Sequence, residues 1–259
     1  MPESSNLIYG VNTVLEALRA RTRQIETITI LDSARPDRLK PLLDLARQQG
    51  VPVHRVPRLD LDRTLGEVRH QGVIARIAAA RYAGADDLLD TLETKMGTAD
   101  PPLVLGLDAI EDPRNMGSIL RTAECAGVHG VFIAERRAVG LTGAVAKVAA
   151  GALEYVPVAR VTNLVRLIEQ LKARNIWVVG AAAEARQSYT DWDWKLPAAI
   201  FLGNEGSGLH RLVREHCDTL VRIPVVGKLD SLNVSVAAGV LLYEVRRQRT
   251  PAPGKNDKV

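Results

Sequence analysis

Cysteine is scarce in this chain. Only Cys125 and Cys217 occur in 259 residues, far apart and without CxxC spacing, so neither a disulfide framework nor a zinc site built on cysteine pairs is expected. Both are expected to act as small buried apolar residues. Aromatic residues make up 4% of the chain, too few for a base-stacking surface rich in Phe and Tyr. No apolar run is long enough to cross a bilayer. The opening Met1-Pro2-Glu3-Ser4-Ser5-Asn6 has no basic stretch leading into an apolar one, so no secretory signal is read there. A reduced, cytoplasmic setting without membrane or metal follows as the expectation. The chain also lacks a P-loop and a nucleophile elbow. Its five histidines are scattered, with no evident partner to orient one as a general base.

What is present is ordinary globular composition, 46% hydrophobic and 25% charged, which excludes global disorder. The formal net charge of +4 and a pI near 9.2 weakly favour an acidic partner such as RNA. Residues 1–80 read as a small α/β unit. Helical spacing over Asn12–Arg19, with Asn12 or Thr13 as cap, precedes a strand over Ile25–Leu31. A helix over Arg38–Gln49 ends at Gly50, and strands follow at Val51–Val56 and Gly72–Ile77 around a short helix at Leu59–Glu67. Residues 81–101 are turn-rich and serve as the linker, although Asp86–Lys95 within them can form a helix. From 102 to 249, six apolar runs alternate with helical patterns. The runs are Leu103–Leu107, Gly130–Ala134, Val156–Ala159, Ile176–Gly180, Ala198–Leu202 and Leu220–Ile223. Continuous apolar strands alternating with helices imply a parallel sheet covered on both faces. The tail, residues 250–259, is expected to be disordered.

Three stretches join strand-like runs to helix-like runs and combine glycine with reactive side chains. In Asn115-Met116-Gly117-Ser118-Ile119-Leu120-Arg121, Asn115 can cap a helix and Gly117 permits close approach of a ligand or another backbone. Arg121 either pairs with Glu124 on a solvated face or offers its planar fork of donors to a phosphate or ribose. Gly203-Asn204-Glu205-Gly206-Ser207-Gly208 follows a strand in the order GxxGxG, not the GxGxxG of dinucleotide sites. It is a tight turn with Glu205 solvated, or a loop whose backbone atoms bind a ligand. Ile223-Pro224 ends a strand, and Ser231 or Asn233 then caps the last helix, in which Val236, Val240 and Tyr243 share a face. Loops at the carboxyl ends of parallel strands are where open α/β sheets hold ligands.

These segments, NMGSILR, IFLGNEGSGL and IPVVGKLDSLNVSVAAGVLLYE, resemble the three motifs of the SpoU (TrmH) family of RNA ribose 2′-O-methyltransferases. The resemblance covers residues 103–248. His70-Gln71-Gly72-Val73-Ile74-Ala75, Val161-Thr162-Asn163-Leu164, and Ile8-Tyr9-Gly10 with Val14-Leu15-Glu16-Ala17-Leu18 are similar to the bacterial branch that methylates a guanosine of 23S rRNA. The resemblance implies a SPOUT-type parallel-sheet domain with a C-terminal trefoil knot, preceded by a ribosomal-protein-like RNA-binding domain. It also implies S-adenosyl-L-methionine as cofactor and a homodimer. Gly203, Ile223 and Leu232 match positions whose backbone holds the cofactor. Asn115, Arg121, Glu205, Ser231 and Asn233 match the catalytic-site positions. The family role of general base for Arg121 is chemically awkward, because a guanidinium keeps its proton far above neutral pH; orienting the ribose-phosphate is an equally good role. The alternatives are a methyltransferase acting on tRNA and a non-catalytic RNA-binding or ribosome-assembly protein on the same fold.

Overall fold

The computed structural model describes residues 7–34, 36–65, 70–78 and 80–250. Residues 7–78 form β1 (Leu7–Tyr9), α1 (Val11–Ala20), β2 (Ile25–Leu31), α2 (Pro36–Gln48), β3 (Val53–Val56), α3 (Arg58–Leu65) and β4 (Val73–Ile77). Beyond residue 82 come α4 (Ala85–Glu93), β5 (Leu103–Leu107), α5 (Pro113–Cys125), β6 (Gly130–Ala134), α6 (Gly143–Ala149), β7 (Val158–Val161) and α7 (Leu164–Ala173). The chain continues through β8 (Trp177–Ala181), β9 (Gln187–Ser188), β10 (Ala198–Leu202), α8 (Arg211–His216), β11 (Thr219–Arg222) and α9 (Val234–Arg249). These elements fall into two compact units. The first comprises Met1–Tyr82, Asp112–Arg121 and Val139–Pro157; the second comprises Ala83–Glu111, Thr122–Ala138 and Val158–Val259. The expected disordered tail lies, from residue 251 on, outside the described residues, as do the first six residues and the end of the helix expected at Leu59–Glu67.

The first unit holds a four-stranded sheet in the order β1-β4-β2-β3. Only β2 and β3 run parallel, and α2 supplies the crossover that a parallel pair requires. Val14, Ala17 and Leu18 of α1 lie at helical spacing and bury against Ile28 and Ile30 of β2, Leu39 and Leu42 of α2, and Val73 and Ala75 of β4. The expected cap at Asn12 or Thr13 is not what starts α1. Both lie inside the helix; Gly10 takes the cap position at φ 98° with no side-chain bond, and Gln71 Oε1 accepts the exposed Val11 N–H at 3.2 Å. Gly50, at φ 66°, ends the α2 segment as its sequence position predicts. The strand β1 and the helix α6 are additional to the sequence expectation. Thr142 caps α6 by accepting from Val145 N–H, and Ala146 joins this unit's core.

The second unit is built on a seven-stranded, wholly parallel sheet in the order β7-β6-β5-β10-β8-β11-β9. The continuous apolar runs become its buried strands: every residue of β5 and β10 is buried. Leu164, Leu167, Ile168 and Leu171 form the buried stripe of α7, which Asn163 caps through Val165 and Arg166 N–H. On α4, within the turn-rich stretch, Leu88, Leu89 and Leu92 enter the same core. Strand β7 lies two residues further along than its apolar run suggests, because Val156 N–H bonds Ala152 O in the preceding helical turn. Strand order reverses between β5 and β10: β6 and β7 continue outward from β5, whereas later strands lie on the other side. Such a reversal opens a crevice at the carboxyl ends of the strands.

One cysteine expectation is corrected. Cys217 is partly buried, but Cys125 is exposed. On α5 the buried stripe is Met116, Ile119, Leu120 and Ala123, and Cys125 falls on the opposite side of the 3.6-residue turn.

Candidate active site

A cavity of about 350 Å³ opens in the second unit, at the carboxyl ends of β8, β10 and β11. Its walls are the loop after β8 (181–184), the glycine loop after β10 (203–209), the segment from Ile223 to Leu232, and the start of α9. Five of the eight residues singled out from the sequence line it: Gly203, Glu205, Ile223, Ser231 and Leu232.

The glycine loop has the form it does because two backbone segments nearly touch. A Cβ on Gly203 would lie 2.1 Å from Gly208 C and 2.2 Å from Leu209 N, so no other residue fits there without moving main chain. Gly208, at φ 66°, returns the chain, and its N–H donates to Asn204 O at 2.8 Å. Asn204 Oδ1 accepts the Gly206 N–H at 2.8 Å. The loop therefore presents main-chain atoms to the cavity with few side chains in the way.

Glu205 is exposed but not merely solvated. Its Oε1 accepts hydrogen bonds from Asn233 Nδ2 and from Val234 N–H at 3.3 Å. A carboxylate thus sits at the N-terminal end of α9, where the helix dipole favours negative charge. Asn233 is the cap of that helix, accepting from Ser235 N–H at 3.0 Å and Val236 N–H at 3.4 Å; of the two expected candidates, Ser231 remains outside. The Glu205–Asn233 tie joins two distant sequence segments at one edge of the cavity.

Asn115 and Arg121 belong to the first unit. Asp112, not Asn115, starts α5: its Oδ1 accepts the Arg114 N–H at 2.8 Å, which leaves half-buried Asn115 in the first turn. Gly117 permits the approach of another backbone, since a Cβ there would lie 2.9 Å from Val145 O and 2.6 Å from Val148 Cβ of α6. Arg121 is exposed, and among the described residues no ion pair joins it to Glu124. Its fork of donors is not committed to that neighbour.

Some residues at the cavity escaped the sequence reading. Glu184 and Asp230 line it, and Glu184 is paired with Arg214 at 2.7 Å. A bond from its own backbone and the Arg214 guanidinium hold the Glu184 carboxyl below its ordinary value, against the opposing effect of burial. Three histidines also acquire aspartate partners: His210 with Asp108, His70 with Asp62 and His129 with Asp100. Asp108 and Asp100 are 102 and 29 residues from their histidines, so spacing carries no signal for them. His70 and His129 each spend Nδ1 on a backbone N–H, of Gly72 and Leu103 respectively, which marks both as structural.

A backbone-walled cavity at the carboxyl ends of β8, β10 and β11 lies within the region that known proteins share with this chain. The profile of the SpoU rRNA Methylase family matches residues 102–243, and that of RNA 2′-O ribose methyltransferase substrate binding matches residues 7–83. The chain belongs to the SpoU rRNA methylase family. A relative from Ralstonia nicotianae, named 23S rRNA (guanosine-2′-O-)-methyltransferase RlmB, is 44% identical over 97% of this chain and 99% of its own length. A Bacillus subtilis relative, 45% identical over 97% of this chain and 99% of its own, is named only to the level of a TrmH family tRNA/rRNA methyltransferase. Among solved structures, the AdoMet-bound rRNA methyltransferase of Sinorhizobium meliloti superposes with a TM-score of 0.75 at 26% identity, covering 94% of this chain and 87% of that one.

Proposed function

We propose that this member of the SpoU family methylates the ribose 2′-hydroxyl of a guanosine in 23S rRNA, with S-adenosyl-L-methionine as methyl donor. The observation that carries the reading is the cavity walled by the main chain of the Gly203 loop, Ile223 and Leu232, in a chain collinear with enzymes of that name. The cavity fits the donor. Its volume lies within the range of small-molecule sites. Leu202, Leu209, Val221 and Ala237 provide apolar wall for an adenine, and Glu184 and Asp230 provide carboxylates for a cationic amino acid portion.

When bound, the donor supplies a methyl group activated on a sulfonium. Transfer breaks the S–CH₃ bond, forms O2′–CH₃, and releases S-adenosylhomocysteine and the hydroxyl proton. The protein's part is alignment, which makes the encounter effectively unimolecular. In this proposal Gly203, Ile223 and Leu232 hold the donor through backbone atoms. Glu205, Asn233 and Ser231 fix the loops around it. Arg121 grips the RNA ribose-phosphate by charge-assisted hydrogen bonds, with Asn115 orienting Arg121 or the sugar.

The proposal extends to organisation. Residues 1–80 bind the RNA, 81–101 connect, and 102–249 form the methyltransferase domain with the C-terminal trefoil knot its family implies. The protein works in the cytoplasm as a homodimer. Support for a partner is the side of α9 on which Val236 and Tyr243, two helical turns apart, are 51% and 55% exposed. A tRNA substrate is the second reading, favoured by the name of the Bacillus subtilis relative.

The test is incubation with labelled methyl donor and either 23S rRNA fragments or bulk tRNA, followed by nucleoside mapping. The expected product is 2′-O-methylguanosine in the 23S fragments alone. Label in tRNA overturns the substrate assignment. Calorimetry with S-adenosyl-L-methionine separates an enzyme from a purely structural RNA binder.

A further inference from the structure

The glycine loop is held at both ends by two residues of another strand's exit, Asp108 and Ala109, which have no part in the mechanism above. Asp108 follows β5, and its N–H donates to Leu202 O at 2.8 Å, extending the pairing of β5 with β10 to the mouth of the loop. The Asp108 side chain is only 7% exposed. Both of its oxygens are occupied by His210, the residue immediately after the loop: Oδ2 accepts the backbone N–H at 2.8 Å, and Oδ1 meets ring Nδ1 at 2.8 Å. At the loop's other end, Asn204 Nδ2 donates to Ala109 O at 3.1 Å. Ala109 itself stands at φ 58°, a left-handed conformation that a residue with a side chain adopts at a cost.

The hydrogen-bond directions at His210 follow from elementary inventory. A carboxylate oxygen accepts, so Nδ1 is the donor toward Asp108; a guanidinium only donates, so Nε2 is the acceptor toward its neighbour. Arg137 Nη1, 3.3 Å from Nε2, is a donor. One chain of donation therefore runs from the Arg137 guanidinium through the imidazole to the buried Asp108 carboxylate. Neither Asp108 nor His210 lines the cavity, whereas Asn204 and Leu209, the loop residues beside the two clamped points, do.

We propose that Asp108, Ala109 and His210 form a clamp that keeps the 203–209 loop in its donor-binding shape, which makes Asp108 and His210 positioning residues for affinity toward the methyl donor. The proposal rests on reading the cavity as the S-adenosyl-L-methionine site. Its physical basis is entropic. Gly203, Gly206 and Gly208 give the loop more freedom to lose than any other composition would. A ligand held by main-chain atoms binds only when those atoms are fixed, and fixing them before binding removes that cost from the affinity.

The experiment compares wild type, His210→Ala and His210→Asn as full-length proteins, by calorimetry with S-adenosyl-L-methionine and by steady-state methyl transfer. The asparagine amide replaces the Nδ1–H donor, whereas alanine removes it. Because the His210 side chain is 43% exposed, the alanine variant opens no cavity in the apolar core; it does leave the buried Asp108 Oδ1 without its ring donor, so a melting curve without ligand verifies its folding. The expected result for His210→Ala is about tenfold weaker donor binding, equivalent to about 1.4 kcal/mol. The KM for donor rises in parallel, while kcat at saturating donor and the KM for RNA stay near wild type. His210→Asn restores most of the affinity. Wild-type binding with an unaltered His210→Ala overturns the clamp alone, and so does a His210→Asn as weak as the alanine variant. No heat from wild type with the donor overturns the cofactor reading and the clamp with it.

Discussion

Replacing Gly203 with alanine tests the central feature of the site. The added Cβ would lie 2.1 Å from Gly208 C and 2.2 Å from both Gly208 O and Leu209 N. Ordinary carbon contacts are about 3.5–4.0 Å, so the two backbone segments must separate by well over an ångström. Both obstacles are main chain, and neither has a flexible end that can swing away. Overpacking of this kind costs about 1–3 kcal/mol. The residues at the tip of the loop, from Glu205 to Gly208, are exposed. The strain is therefore relieved by opening the loop rather than by unfolding the sheet, and the cost appears in ligand affinity. Expressed as binding, it amounts to roughly a fivefold to more than a hundredfold rise in Kd for S-adenosyl-L-methionine. Calorimetry reads the affinity, and a ligand-free melting curve reads the small loss of stability. Gly206→Ala is the comparison, since among the described residues its Cβ would meet, beyond its chain neighbours, Asn204 Oδ1 at 3.4 Å and nothing closer; its effect should be several-fold smaller. Equal effects at the two positions, or wild-type affinity in Gly203→Ala, would show that the close approach of the two segments does not shape the donor site.

Three further outcomes are expected. Arg121→Ala should lower methyl transfer by at least about a hundredfold while donor affinity stays within about twofold; equal loss of donor binding removes Arg121 from the acceptor side. His129 accepts the Leu103 N–H at Nδ1 and meets Asp100 at Nε2, and burial, opposed by Asp100, holds it below its ordinary value of 6.5. Its folded form resists protonation, so its contribution to stability is complete above about pH 6.5 and is lost as the pH falls through the folded value. Urea midpoints should drop between about pH 7.5 and about pH 5.5, with a shallower drop in His129→Gln; parallel slopes would count against this assignment. Burial pushes the Cys217 thiol up to about 12, so at about pH 8 only Cys125 should be alkylated quickly, and rapid labelling of both, read by mass spectrometry, would contradict the burial of Cys217.

Much of the fold was legible in sequence because strand and helix periods are local. Leu103–Leu107, Gly130–Ala134 and Ala198–Leu202 are strands with the bounds their apolar runs give, and Leu164–Ala173 is a helix with the cap that Asn163 announces. The misses have equally local reasons. Gly143–Ala149 is a run of small residues with little contrast between faces, and Leu7–Tyr9 is too short for alternation to register. The start of α5 went to Asp112 because two polar residues competed for one cap. At the site, the five cavity-lining residues were legible as motif positions, but Asp108, Asn204 and His210 were not, since their meaning lies in bonds spanning 95 to 102 residues.

Local pattern was enough for most strands and helices (though not for β1, β9 or α6), for the parallel character of the C-terminal sheet, and for the loops that carry glycine beside reactive side chains. Those properties depend on periodicity and residue type within a few positions of the chain. That Gly203 lies against Gly208 and Leu209, that Glu205 reaches the cap of α9, and that a buried Asp108 holds His210 came from the folded packing alone. Close packing and hydrogen-bond pairing act between segments that the fold alone brings into register.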